Sequence, residues 1–479
     1  MQRSRFLLFV ILAVMATGVF LILDGCSGKE QQGTGTASTF PVIDEALNVI
    51  KERGVYPVEQ EKLIEGALRG MADTIGDPYS TYFSKEEAAA SKESLAGERI
   101  GIGAEVTRSN GKFIIVAPVK GSPSEKAGLQ PYDEIVRIDG ETLDGDSLQD
   151  VVQRIRGKQG TAVTMTIYRP ELNKHIEVSV MREAMSVKTV AAEVIEVRGN
   201  KIGYITLTKF AEDSAKEWEK ATNRLIKEGA QALIIDLRGN PGGYLHTVGD
   251  IAGSLLPEDT VFAFMQNQQG ALTPLVIEKS KDLSYDKKLK SMPVALLQDK
   301  GSASASEVLS GALKDLKRGY IMGTTSFGKG TVQDFTELSN GGEMKLSTHK
   351  WLTPKEQWIH GKGVKADLEV EQNALFVELT RLVTGVYEEG AYHEDVAYGQ
   401  KLLEGLGYSV GRTDGYFDES TTLAVQAFRA DAKVKADEKM DRIFYTALKE
   451  KVEAYRKDHK NDDQLQMAIG YMHHQLNEK

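Results

Sequence analysis

A lysine set between two glycines, in Phe327-Gly-Lys-Gly-Thr-Val-Gln333, follows a serine-rich helix start, Gly301-Ser-Ala-Ser-Ala-Ser-Glu307. Neither segment contains histidine. Together they supply the residue types for acyl transfer by a serine nucleophile and a lysine base. A serine hydroxyl is a weak nucleophile and needs a base within hydrogen-bond reach. Lysine can be that base only if its ammonium sheds a proton near neutral pH, which calls for a desolvating, apolar pocket. Lys329 has Phe327 and Val332 close by and no adjacent carboxylate; the nearest downstream is Asp334. Ser304-x-x-Glu307 also reads as a capping box. A helix start suits a nucleophile, because its dipole favours developing negative charge. Spacing alone leaves Ser302, Ser304 and Ser306 open.

Acyl transfer further needs amides aimed at an oxyanion. Gly242-Gly243, after Pro241 and an apolar run, could free such amides. A rival reading takes Gly323-Thr-Thr-Ser-Phe-Gly-Lys329 as a phosphate-binding loop. Its final position, which should be Ser or Thr for magnesium, is Gly330. The single cysteine, Cys26, rules out a disulfide framework and a cysteine metal cluster. No metal or other cofactor is expected. The net charge of -10 argues against nucleic acid as a partner.

The elements that must position these residues form a multidomain α+β chain of 479 residues. Arg3 and Arg5 precede an uncharged, mostly apolar stretch, Phe6 to Leu23. At about 27 Å as a helix it is near the lower limit for a bilayer. Residues 1–26 therefore read as a signal anchor or a signal peptide, with the bulk exported. Leu23-Asp-Gly-Cys26 resembles a bacterial lipoprotein cleavage site. A polar linker, 27–39, leads to a helical segment, 40–95, with apolar stripes through Ile43, Ala46, Leu47 and Ile50 and through Leu63, Ile64, Ala67, Leu68, Met71 and Ile75. More stripe is present than the segment can bury alone, which points either to packing on its own chain or to a homodimer contact.

Residues 96–183 are β-rich with one helix through Leu148, Val151, Val152 and Ile155. With Gly101-Ile-Gly103, Gly121-Ser-Pro-Ser-Glu-Lys-Ala-Gly-Leu129 and Asp133-Glu-Ile-Val-Arg-Ile-Asp-Gly140, they resemble a PDZ domain, a β-sandwich-like module. Such domains bind a free, apolar peptide C-terminus, and Gly101, Ile102 and Gly103 would hold its carboxylate. Residues 184–388 read as an α/β core, with strands at 201–207, 232–236, 294–297 and 320–323 and an alternating pattern at Met344–Thr348 that suggests a sheet edge. Residues 389–455 form a small helical domain. Gly407-Tyr408, Asp414-Gly415, Thr421, Ala424-Val425 and Phe428 resemble the first half of a peptidoglycan-binding domain, while Asp437-Glu-Lys-Met-Asp441 replaces the second glycine repeat. The remainder, 456–479, reads as a charged tail, either a solvated helix or disordered.

In this order the motifs resemble the carboxyl-terminal processing, or tail-specific, proteases over about residues 40–380. That resemblance implies Ser304 as nucleophile, Lys329 as base and Gln333 as the residue orienting the lysine. It also implies an oxyanion hole from Gly242, Gly243 and the amide of Ala305. Lys329 and Gln333 would lie about 13 Å apart on an extended strand, so the reading requires a bend, which Gly330 permits. Ala366 stands where the family often has proline. The implied protein is a membrane-tethered endopeptidase working outside the cytoplasm; a non-catalytic PDZ adaptor at the cell wall is the alternative.

Overall fold

Helices α1 (Pro41–Arg53) and α2 (Gln60–Asp73) open the described chain. The computed structural model describes residues 40–478 apart from 97, 110, 120, 171, 187 and 379–381. The apolar stretch 6–23, Cys26 and the linker 27–39 lie outside those residues. No helix among the described residues is long and apolar enough to cross a membrane. Both helices are amphipathic, and together they form a unit of their own. Helix α1 has no buried residue, and Ile43, Ile50, Ile64 and Met71 are exposed.

The second unit starts at Ile75. Strand β1 (Thr81–Phe83) and helix α3 (Lys85–Ala96) lead to a two-stranded neck, β2 (Glu98–Gly101) paired with β9 (Glu183–Ser186). Between these two strands sits the PDZ module. Its sheet runs β3 (Ala104–Ser109), β4 (Lys112–Pro118), β5 (Glu134–Ile138), β7 (Ala162–Arg169), β8 (Lys174–Met181), with β6 (Glu141–Thr142) on β5. Asp139 (φ 50°) and Gly140 (φ 83°) make the tight turn from β5 to β6. Helix α4 (Leu148–Ile155) packs on this sheet, with Val151 and Ile155 in the shared core.

The α/β core is built on a six-stranded sheet: β10 (Val190–Val197), β11 (Asn200–Leu207), β12 (Ala232–Asp236), β15 (Val294–Gln298), β16 (Tyr320–Gly323) and β19 (Leu368–Glu369). All neighbours but β10 and β11 are parallel. Strands β12 and β15 are buried throughout, as a parallel sheet covered on both faces requires. Leu233, Ile235 and Leu296 face helices α5 (Ser214–Lys227), α6 (Leu245–Leu255) and α7 (Ala305–Asp315). Ile234, Ala295 and Leu297 face the other way.

That other face is covered by a helix from the segment expected to be a tail. After α8 (Glu394–Gly405), α9 (Glu419–Asp431) and α10 (Arg442–Lys457), helix α11 (Asp463–Asn477) returns to the sheet. Its Leu465, Ala468, Ile469 and Met472 pack on Ile202, Tyr204, Ile234 and Leu297. The tail does form a helix, but one face of it is buried, so the solvated and disordered readings of 456–479 are wrong for α11. The spacing i, i+3, i+4, i+7 is a buried stripe. Its three larger side chains are each worth about 1.5–3 kcal/mol when fully buried.

A second sheet carries β18 (Glu343–Leu352), flanked by β1, by β13 (Val261–Gln266) with β14 (Leu272–Val276), and by β17 (Thr331–Glu337). Met344 pairs with Thr336 on one side and Tyr82 on the other, so Met344 and Lys345 lie between two strands and not at an edge, while Leu346 and Ser347 pair with β17 alone. In the three-helix domain, Met440 is fully buried and pairs with Tyr387, while Asp441 caps α10. The segment 437–441 thus does the structural work expected of the absent glycine repeat.

Candidate active site

Strand β15 ends at Gln298, and the chain turns through Asp299–Ala303 into α7. Ser304 sits at the N-cap with φ 54° and ψ -113°, a left-handed conformation that costs a non-glycine residue on the order of 1–3 kcal/mol. The three serines separate here. Ser302 is buried, donates to the Leu237 carbonyl at 2.8 Å and accepts from the Asp299 amide. Ser306 is buried and donates to the Asn240 carbonyl at 2.9 Å. Ser304 alone of the three lines a cavity of about 1010 Å³.

Lys329 lines the same cavity, with Gln333, Gly242, Gly243 and Ala305. The element after the lysine excludes phosphate-loop chemistry: the chain runs into strand β17, whereas a phosphate loop runs into a helix. Burial pushes the Lys329 ammonium down to about 8, helped by the charge of Lys345 and opposed by Asp77 and Glu307. Phe327, expected to supply the apolar wall, is exposed. Trp351 is buried beneath the lysine instead, and its indole donates to the Lys329 carbonyl at 2.8 Å.

Glu307 holds the two segments together, and the sequence offered it only as a helix cap. The side chain is fully buried. One oxygen accepts from the Ser304 and Lys329 amides, both at 2.8 Å. The other accepts from the Gly328 amide and the Ser326 hydroxyl, both at 2.6 Å. One carboxylate therefore fixes the serine's turn against the lysine's loop.

Gly242 (φ 101°) packs against that turn: a Cβ there would lie 2.7 Å from the Ala303 carbonyl oxygen, 2.9 Å from the Ala305 nitrogen and 2.9 Å from Ser304 Cβ. Its own N–H donates to Asn240 Oδ1 at 2.9 Å, so it is unavailable to an oxyanion. Among the described residues, the Gly243 and Ala305 N–H groups have no acceptor. Asn240 is fully buried; its amide nitrogen donates to Leu207 and its carbonyl accepts from Ala303. Behind this loop, Arg238 bridges Asp236 and Asp462, the residue that caps α11.

Gln333 lines the cavity, and the pairing of β17 with β18 shifts register at a bulge between Val332 and Gln333. Its amide donates to Thr331 at 3.0 Å and Ser347 at 3.1 Å, and not to Lys329. The PDZ helix α4 faces the cavity through Gln149, Val152, Gln153 and Arg156, and α3 adds Glu86 and Ala90. Gly101, Ile102 and Gly103 do not line it. Ile102 is buried in the PDZ core, and the Gly103 carbonyl is held by the hydroxyls of Ser122 and Ser124. No cluster of metal-ligating side chains exists among the described residues.

A turn-mounted serine, a half-buried lysine and free amides around one cavity define a serine peptidase, and comparison with known proteins agrees. The chain belongs to the carboxy-terminal processing proteases of peptidase family S41, whose family model matches residues 201–370. Models for the activating protease CtpB N-terminal domain, a PDZ domain and a peptidoglycan binding domain match residues 14–87, 114–169 and 392–459. The last match runs past the half that the sequence pattern suggested. The chain is 40% identical to the carboxy-terminal processing protease CtpB of Bacillus subtilis (strain 168) over 89% of this chain and 88% of that one. It is 34% identical to CtpA of the same strain over 98% of both. Among solved structures, the photosystem II D1 C-terminal processing protease is 24% identical, with a TM-score of 0.44 over 69% of this chain and 92% of that one.

Proposed function

We propose that this peptidase uses Ser304 as nucleophile and Lys329 as general base, outside the cytoplasm and tethered at the membrane. The observation that carries the reading is the shared cavity, in which burial brings the lysine down to about 8. At pH 7 roughly a tenth of such a lysine is neutral, against about one in three thousand for an ordinary one. Lys329 Nζ takes the Ser304 proton as Oγ attacks the scissile carbonyl. The Gly243 and Ala305 amides receive the oxyanion. The lysine returns its proton to the leaving amine, and water then hydrolyses the acyl-enzyme by the reverse sequence. Gln333 acts at one remove, ordering Ser347 and Thr331 beside the lysine's strand.

Substrates are proteins presenting free, apolar C-termini to the PDZ module through the Gly101–Gly103 loop. The 392–459 domain binds peptidoglycan, the stretch 6–23 holds the chain at the membrane, and the exposed apolar faces of α1 and α2 pair in a homodimer. The test is turnover of an unfolded protein together with labelling by an active-site serine probe. Ser304→Ala and Lys329→Ala each abolish turnover with unchanged circular dichroism, and the double variant is no worse. An active Ser304→Ala enzyme would overturn the assignment, and an unlabelled wild-type protein would favour a PDZ adaptor. Equal cleavage of free-acid and amidated substrates would remove tail recognition.

A further inference from the structure

Lys329 forms no ion pair among the described residues, yet its ammonium is not bare: Nζ lies 4.9 Å from the centroid of the Tyr79 ring. We propose that Tyr79 is a positioning residue for the base, its ring forming the wall that holds the Lys329 amine toward Ser304. This rests on Lys329 being the base. Nothing in the lysine's own segment points to Tyr79, whose neighbours Asp77 and Pro78 read in sequence as a helix stop.

The ring is fixed from both ends. On its own chain, Asp77 accepts from the Tyr79 amide at 3.2 Å and from the Ser80 hydroxyl at 2.6 Å. The Ser80 oxygen accepts the Ser347 amide at 3.0 Å, which pins the segment to β18. On the far side, Tyr79 meets His360 edge-on at 6.2 Å, and His360 stacks on Trp358 at 5.1 Å. His360 accepts the Gly330 amide at 3.4 Å, and the Trp358 indole donates to the Gly330 carbonyl at 2.8 Å. Three rings thus run from the lysine's ammonium back to the residue after it. The charged groups acting on Lys329 are Lys345 from β18, Asp77 from the Tyr79 segment and Glu307 from α7.

The ring has two opposed effects, and substitution separates them. Its bulk excludes water, which favours the neutral amine. Its π-face attracts a cation, which favours the ammonium. Tyr79→Leu keeps the bulk and removes the face, so the acid limb of the kcat profile moves down by about half a pH unit. Tyr79→Ala admits water and frees the side chain, so the limb moves up toward ordinary lysine and kcat falls about 10-fold or more. Tyr79→Phe restores the wild-type limb. KM stays near wild type in all three, because Tyr79 does not line the cavity.

The experiment measures kcat and KM from pH 6 to 10 for these variants and Lys329→Ala, with serine-probe titration counting competent sites. Limbs moving in opposite directions for Leu and Ala establish the role. Limbs that stay put or move together overturn it, as does a kcat loss explained by fewer titratable sites. Retained activity in Lys329→Ala would instead sink the base assignment, whatever the Tyr79 variants do.

Discussion

Replacing Glu307 by glutamine tests whether the weld between the serine's turn and the lysine's loop matters to chemistry. The carboxylate accepts four hydrogen bonds, two on each oxygen. An amide offers one oxygen and one NH2. If the NH2 faces the Ser304 and Lys329 amides, two donors oppose it. If it faces the other pair, the Ser326 hydroxyl can accept, but the Gly328 amide is still opposed. At least one charge-assisted bond is lost, about 1.5–3 kcal/mol. Expressed wholly in the transition state, that is a fall in kcat of about 10- to 150-fold. KM changes little, since Glu307 does not line the cavity. A second effect is independent of this one: Glu307 holds the Lys329 proton on, so removing its charge moves the acid limb to lower pH. The assay is kcat and KM on a fluorogenic peptide from pH 6 to 10, with near-UV circular dichroism to confirm the fold. Wild-type kcat in Glu307→Gln would reduce the residue to a helix cap. A lowered kcat with an unmoved limb would mean that its charge does not reach the lysine.

With Lys329 as the proposed base the neutral amine is the active form, so kcat is expected to rise with pH through about 8 and to be lost below it; a profile flat from pH 6 to 9 contradicts this. Gly242→Ala places a methyl within 3 Å of backbone on the nucleophile's turn, and kcat falls about 100-fold with folding retained; an active variant would show that the turn can yield. A chain stopped after Asp458 lacks α11 and bares Leu465's partners on the sheet. The loss from Leu465, Ile469 and Met472 is about 5–9 kcal/mol, comparable to the stability of a whole domain. Aggregation, or loss of near-UV dichroism, is the expected result, and a soluble, active truncation would refute the packing argument.

Much of the scaffold was legible because its signals are local. The apolar run Ala232–Asp236 and the stretch Tyr320–Gly323 coincide with strands β12 and β16, and Leu148–Ile155 shows its helical period. What the sequence concealed is set by contacts between distant segments. Helix α11 has a regular apolar stripe, but polar and charged neighbours disguised it, and only the bare face of a sheet more than ninety residues upstream gives that stripe a purpose. Phe327 is close to Lys329 in sequence and points into solvent, whereas Tyr79 and Trp351 reach it from other elements. Glu307 matched a capping pattern, and nothing local reveals that its acceptors serve Gly328 and Lys329. Spacing alone left the three serines open and the resemblance implied Ser304; the physical reason lies in Leu237 and Asn240, whose carbonyls occupy Ser302 and Ser306.

The place of α11 in the chain also sets a clock. A ribosome that has finished β19 must still make roughly ninety residues, the whole three-helix domain among them, before α11 begins. At about 5–20 residues per second this takes on the order of 5–20 s. Throughout that interval one face of the sheet is uncovered, and Arg238, beside the Gly242–Gly243 loop, lacks Asp462. A nascent chain therefore carries Ser304 and Lys329 before it carries the support for the loop that faces them. The support for the loop that faces Ser304 and Lys329 is thus among the last parts of the described chain to be made.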